Sequence, residues 1–223
     1  MEQRNKTAII IGATGLTGGQ LLNSLLSDNR YQKIKLFSRT SIGINSDKIE
    51  EFLGDVIDLE NFALDFTADE VFCCIGTTKS KTPDKEMYRK IDYGIPKKAV
   101  KLCKANGIDT FLVISALGAN PKSKVFYNRL KGEMENEVMA TGLNHTYILQ
   151  PSLISGKRNE WRFGEWVVKQ LFKIFNLLLL GPLKKYQSIH PDEIVKCMIW
   201  LANNKPIAGR ISSEKIKKLA KNA

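Results

Sequence analysis

Ser115, Tyr127 and Lys131 are the side chains whose types and spacing could do chemistry together. Ser115 closes a β-branched apolar run, and Tyr127 and Lys131 follow it by twelve and sixteen residues. The last two stand four apart in Tyr127-Asn128-Arg129-Leu130-Lys131, so on a helix they share one face. A phenol, with an ordinary pKa of about 10, is a poor acid–base group near neutrality. A neighbouring ammonium favours the phenolate and brings its proton into play. A serine at a strand end can hydrogen-bond the substrate oxygen while the tyrosine exchanges a proton with it and a nicotinamide exchanges hydride. The Tyr-x-x-x-Lys spacing alone is mostly structural, so this reading needs a cofactor site elsewhere in the chain.

The chain opens with such a site. Thr7 to Ile11 reads as a buried strand, and Gly12-Ala13-Thr14-Gly15-Leu16-Thr17-Gly18 carries three glycines spaced by three before a helix. Gly12 permits the tight turn, Gly15 lets backbone amides approach a pyrophosphate, and Gly18 lets the helix pack close. The helix N-terminus then stabilises phosphate charge, with Thr14 and Leu16 as further contacts in the turn. The second strand ends in Ser38-Arg39-Thr40, without the acid that takes the ribose hydroxyls of NAD. A guanidinium there suits a 2′-phosphate through bidentate, charge-assisted bonds, so NADP is favoured. Asp55 and Val56 follow the third strand, where an acid can accept from an adenine amino group. Gly76 and Thr77 close the fourth strand, and ligands of parallel sheets bind outside these carboxyl ends.

The elements that must position these groups are legible in the hydropathy pattern. Short apolar runs at Thr7–Ile11, Lys33–Ser38, Lys48–Leu53, Glu70–Ile75, Thr110–Ser115 and Thr146–Gln150 alternate with amphipathic segments at Gly15–Ser27, Asp58–Asp65, Pro83–Asn106, Lys124–Ala140 and Pro191–Asn203. That alternation predicts an α/β fold, a Rossmann-type doubly wound parallel sheet with helices on both faces. Residues 1–223 are expected to form a single domain, with a small cap at about 152–188 carrying Trp161, Phe163, Trp166 and Leu177–Leu180. The lysine-rich stretch Lys215–Lys221 reads as a solvated tail.

A hydrophobic fraction of 43% and a charged fraction of 26% are ordinary for a globular protein. The most apolar stretch, Ile174 to Leu183, is about half of what a membrane span needs. The polar start Met1–Lys6 does not read as a signal peptide, which makes the cytoplasm the expected compartment. Cys73, Cys74, Cys103 and Cys197 lie in apolar stretches without metal-ligand spacing, and no metal is expected. The net charge of +11 raises nucleic acid as a partner, but no aromatic residues interleave with the basic ones, and solvated helix faces are favoured. Self-association is left open.

These residues resemble the short-chain dehydrogenase/reductase superfamily, in particular an atypical branch similar to the Tat-interacting-protein-type oxidoreductases, with NmrA-like proteins as more distant neighbours. The resemblance spans Thr7 to Asn203 and rests on the glycine turn, Ser38-Arg39, Gly54-Asp55, Ile91-Asp92-Tyr93, Ile114-Ser115, the Tyr127/Lys131 pair and Gln150-Pro151-Ser152. Cys73-Cys74-Ile75-Gly76-Thr77-Thr78 is its most specific string. It implies NADPH binding, a Ser–Tyr–Lys triad at Ser115, Tyr127 and Lys131, and a nicotinamide contact from Pro151 through Leu153 to Ile154. Two positions depart from the pattern: Asp92 replaces an asparagine that would hold a proton-relay water, and Gln150 replaces an arginine.

Two functional classes follow. One is an NADPH-dependent reductase of a carbonyl or activated double bond in a small apolar molecule. The other is a regulatory or redox-sensing NADPH-binding module with little or no turnover.

Overall fold

The apolar runs become strands because, paired side by side, the central ones bury both of their faces. They form β1 (Lys6–Ile11), β2 (Tyr31–Ser38), β3 (Ile49–Leu53), β4 (Glu70–Cys73), β5 (Thr110–Ile114) and β6 (His145–Gln150), joined by β7 (Gly209–Ser212). The computed structural model describes residues 5–155 and 187–222. Its strands pair in parallel in the order β3-β2-β1-β4-β5-β6-β7. Successive residues of β1 serve opposite faces: Ala8 and Ile10 enter one core, Ile9 and Ile11 the other. Cys73 lies in the second core, while Cys74 packs against the first, as expected for adjacent strand residues.

Helices cover both faces. α1 (Leu16–Leu26) lies on the first; α2 (Lys85–Arg89) leads through a π turn (Lys90–Gly94) into α3 (Ile95–Ala105), which covers the second with α4 (Phe126–Ala140). α5 (Pro191–Asn204) and α6 (Ser213–Leu219) return to the first face. α5 starts as its sequence predicts. Pro191 opens the first turn, the His190 ring nitrogen accepts from the Asp192 amide at 3.3 Å, and the Glu193 carboxylate accepts from the His190 amide at 2.9 Å.

Three expectations change. The segment expected as one helix over Pro83–Asn106 is interrupted by the π turn, an extra residue in the spiral that re-aims side chains. The helix expected at Asp58–Asp65 is a 3₁₀ segment, Val56–Phe62, with Asp58 in a non-helical conformation. The lysine-rich stretch is not a solvated tail, since Ile216 of α6 is fully buried and Leu219 packs beside it. The expected cap lies almost wholly outside the described residues, as do Trp161, Phe163, Trp166 and Leu177–Leu180.

At the amino end of the sheet, four polar groups close a buried cluster. The Tyr31 phenol donates to Glu70, Lys6 Nζ sits 3.1 Å from the other Glu70 oxygen, and Asn203 bridges both by accepting from Lys6 at 2.8 Å and donating to Tyr31 at 3.0 Å. Burial raises the Glu70 carboxyl above its ordinary range, and Lys6 and Tyr31 only partly offset this. The folded protein therefore keeps a proton on Glu70 to higher pH than the unfolded chain does. Between the ordinary carboxylate value and the raised one, stability falls as pH rises, by no more than about 1.4 kcal/mol per pH unit. We expect Glu70→Gln to flatten that part of the Tm-against-pH curve; identical slopes in both proteins would show that Glu70 is not the group responsible.

Candidate active site

The glycine turn is built by two close approaches. Gly12 adopts φ +91°, and a Cβ there would meet the Cys74–Ile75 backbone at 3.0–3.1 Å, so β1 can reach β4 closely only with glycine. A Cβ on Gly18 would lie 2.2 Å from the Gly12 carbonyl oxygen, so the first turn of α1 rests directly on the bend. The Gly15 amide closes the bend by donating to the Gly12 carbonyl at 3.0 Å. Gly15 caps α1 without a side-chain hydrogen bond, and the first turn holds no acid. These uncapped amides and the positive helix end fit a phosphate group.

A cleft of about 510 Å³ opens from this turn across the carboxyl ends of β1, β4 and β5, within the usual range for small-molecule sites. Thr14, Gly15, Leu16 and Thr17 line one end; Cys74 to Thr78 and Lys81 line a side; Asp92, Ile114, Ser115, Tyr127, Lys131 and Ile154 complete it. Ser115 leaves the end of β5, and its amide donates to Leu149 at 2.7 Å. Tyr127 lies in the first turn of α4, its ring edge-on to Tyr88 with centroids 6.4 Å apart. The Tyr88 hydroxyl in turn donates to the Thr77 carbonyl at 3.1 Å, which ties the β4 loop to this aromatic pair.

Lys131 is buried, one turn further along α4. Its Nζ lies 2.9 Å from Asp92 Oδ1, and Asp92 Oδ2 accepts from the Thr77 amide at 2.8 Å. Burial alone would lower the Lys131 pKa, but the Asp92 carboxylate and the Tyr127 phenol reverse this and hold it above its ordinary value. The π turn carries Asp92 into this position.

Ser115 is arranged differently from the expectation that its hydroxyl is free for a substrate oxygen. It donates to Glu135 Oε1 at 2.6 Å. Glu135 is 2% exposed and stands one further turn along the Tyr127/Lys131 face. It also accepts from Gln150 at 2.9 and 3.0 Å and from Arg210 Nε of β7 at 2.7 Å. Gln150 thus has a defined job, and the guanidinium beside this carboxylate comes from Arg210 in the neighbouring strand. Glu135 and Arg210 were missed by sequence reasoning. The spacing of Tyr127, Lys131 and Glu135 along one helical face was the available signal for the first.

Of the predicted site residues, Thr14, Gly15, Leu16, Gly76, Thr77, Ser115, Tyr127 and Lys131 line the cleft, and Gly12 and Gly18 build its turn. Ser38, Arg39, Asp55, Val56, Pro151 and Leu153 lie outside it. The Ser38 hydroxyl donates to the Thr40 carbonyl at 2.7 Å, and Arg39 is exposed beyond the end of β2. Asp55 caps the 3₁₀ segment by accepting from the Ile57 amide at 2.9 Å, and Val56 is buried. Pro151 is buried and Leu153 points outward at 55% exposure, while Ile154 is the residue of that segment that lines the cleft. Among the described residues no cluster of His, Cys, Asp and Glu could hold a metal ion, and no helix is long and apolar enough to cross a membrane.

Comparison with known proteins agrees with the glycine turn. Residues 12–168 match the NAD(P)H-binding family. The chain is 30% identical to the protein FMP52, mitochondrial, of Debaryomyces hansenii over 206 residues, covering 88% of each chain. It is 30% identical to the rat protein HTATIP2 over 175 residues, covering 77% of this chain and 72% of that one. Among solved structures it is similar in fold to the Helicobacter pylori ADP-L-glycero-D-manno-heptose-6-epimerase, with TM-score 0.70, 14% identity and coverage of 100% and 83%. The Bordetella bronchiseptica enzyme WbmH in complex with NAD+ gives TM-score 0.70, 15% identity and coverage of 97% and 79%. The chain therefore belongs to the NAD(P)H-binding family of Rossmann proteins, with FMP52 and HTATIP2 among its relatives.

Proposed function

We propose that this protein is an NADPH-dependent oxidoreductase that reduces a carbonyl or activated double bond of a small apolar molecule. The observation that carries the reading is the single cleft shared by the phosphate-type turn and by Ser115, Tyr127 and Lys131. The nicotinamide, when bound, supplies the hydride. The chain's own part is to hold the dinucleotide and move a proton. The amides at the start of α1 bind the pyrophosphate, and Arg39 binds the 2′-phosphate beyond β2. Asp55 and Val56 border the adenine, and Ile154, at the end of the segment that runs from Pro151 through Leu153, flanks the nicotinamide side. Tyr127 donates the proton to the substrate oxygen, and Lys131 supplies positive charge beside the phenol and hydrogen bonds to the ribose. Because the Ser115 proton is directed to Glu135, its oxygen is left to act as an acceptor, which suits the hydroxyl of the alcohol product.

That same commitment of Ser115 favours a second reading, a regulatory NADPH-binding module whose turnover is slow or absent. The discriminating measurement is NADPH oxidation across a panel of carbonyl compounds. As an enzyme, the protein turns over some member, and Tyr127→Phe slows it by about 10²–10⁴-fold with cofactor affinity intact. No turnover anywhere, together with partner binding that responds to cofactor, would instead support the module.

Cofactor choice is tested separately by titrating NADPH and NADH. Arg39→Ala should weaken NADPH binding by roughly tenfold to a hundredfold, the loss of a charge-assisted contact of about 1.5–3 kcal/mol, and leave NADH unchanged. An unaltered preference would remove Arg39 from the 2′-phosphate site.

A further inference from the structure

The far end of the cleft holds a buried pair of opposite charges. Lys131 and Asp92 are 4% and 1% exposed in their side chains, and their charged atoms lie 2.9 Å apart. Asp92 Oδ2 is fixed by the Thr77 amide, whereas Oδ1 is buried and takes no aligned hydrogen bond. The link from Oδ1 to Lys131 is therefore chiefly Coulombic. No other carboxylate lines the cleft among the described residues.

This end belongs to the nicotinamide on simple topological grounds. The phosphate turn sits where the strand order reverses, between β1 and β4, and a dinucleotide lying across it places one half over β2 and the other over β4 and β5. With the 2′-phosphate half beside Arg39, the nicotinamide half lies over Lys131 and Asp92. The two redox forms of the cofactor carry the same phosphates and differ at the ring, which is positive when oxidised and neutral when reduced. An uncompensated ammonium at this buried position would repel the oxidised ring and leave the reduced one unaffected.

We propose that Asp92 sets the redox preference of the bound dinucleotide: by cancelling the charge of Lys131, it allows the oxidised form to bind about as tightly as the reduced form. The inference rests on the cofactor placement given above, and it assigns Asp92 a task that an asparagine at this position could not perform. Thr77 and the π turn serve it by holding the carboxylate against the ammonium.

The test is calorimetric titration of NADP+ and NADPH, where the ratio of the two dissociation constants isolates the ring charge and needs no substrate. The native protein should bind both forms within a few-fold of each other. Asp92→Asn should weaken NADP+ by roughly tenfold relative to NADPH, a shift of Coulombic size. Lys131→Met should move the ratio the opposite way, and Asp92→Asn combined with Lys131→Met should return it near the native value. If Asp92→Asn fails to fold, the Lys131→Met ratio decides: a shift toward NADP+ supports the assignment, and no shift overturns it. A ratio unchanged by folded Asp92→Asn overturns the role of Asp92 but leaves the cofactor site standing. Failure of the native protein to bind either form removes both.

Discussion

A parallel sheet covered on both faces has open ground only at the ends of its strands, and that constraint governs the rest of this molecule. Here the chain winds outward from β1 in one direction to β3 and in the other to β7, so the connections leaving β1 and β4 diverge and part at their carboxyl ends. The separation makes a crevice without any side chain having to be removed from the core. Everything proposed to do chemistry hangs from its rim: the glycine turn after β1, the Gly76 loop after β4, Ser115 after β5, and the α4 face that returns over them. Close contact of Gly18 with the Gly12 carbonyl keeps α1 seated at the edge of that crevice.

The first six strands were legible because their runs are rich in apolar and β-branched residues, most continuously in β1, β4 and β5, as the interior of a parallel sheet requires. β7 was not, because four residues beginning with glycine and arginine carry too little apolar signal to be told from a loop. α6 was hidden by its lysines, which outnumber the buried Ile216 and the partly buried Leu219 that dock it. The π turn was missed for a different reason: Gly94 and Pro96 mark a break within Lys85 to Ala105, but the amphipathic pattern on either side of them reads as one continuous helix. The glycine turn, Ser115, Tyr127 and Lys131 were readable from spacing. Glu135 was not singled out, since in Lys131-Gly132-Glu133-Met134-Glu135-Asn136-Glu137 a carboxylate looks like one of several solvated charges, and only three-dimensional packing separates it from Glu133 and Glu137.

Buried ionic groups are poor evidence of stability, because desolvation offsets much of their attraction. Their placement here is therefore informative. Asp92 with Lys131, and Glu135 with Ser115, Gln150 and Arg210, lie next to one another at the functional rim. The second group draws on β5, β6, β7 and α4 at once, so the side chain at the end of β5 is held by elements far apart in the chain. Such convergence orients a hydroxyl more narrowly than one neighbour could, at the expense of burying a carboxylate that apolar packing would have replaced more cheaply.

The cluster at the opposite end of the sheet bears on the order of assembly. Lys6, Tyr31 and Glu70 are made well before Asn203, which bonds both Lys6 and Tyr31 and follows them by 197 and 172 residues. Closure across 197 positions imposes a long loop on the central strand of the sheet. During synthesis the strands that carry Lys6, Tyr31 and Glu70 therefore await their tie to Asn203, and this cluster closes only once α5 has been made.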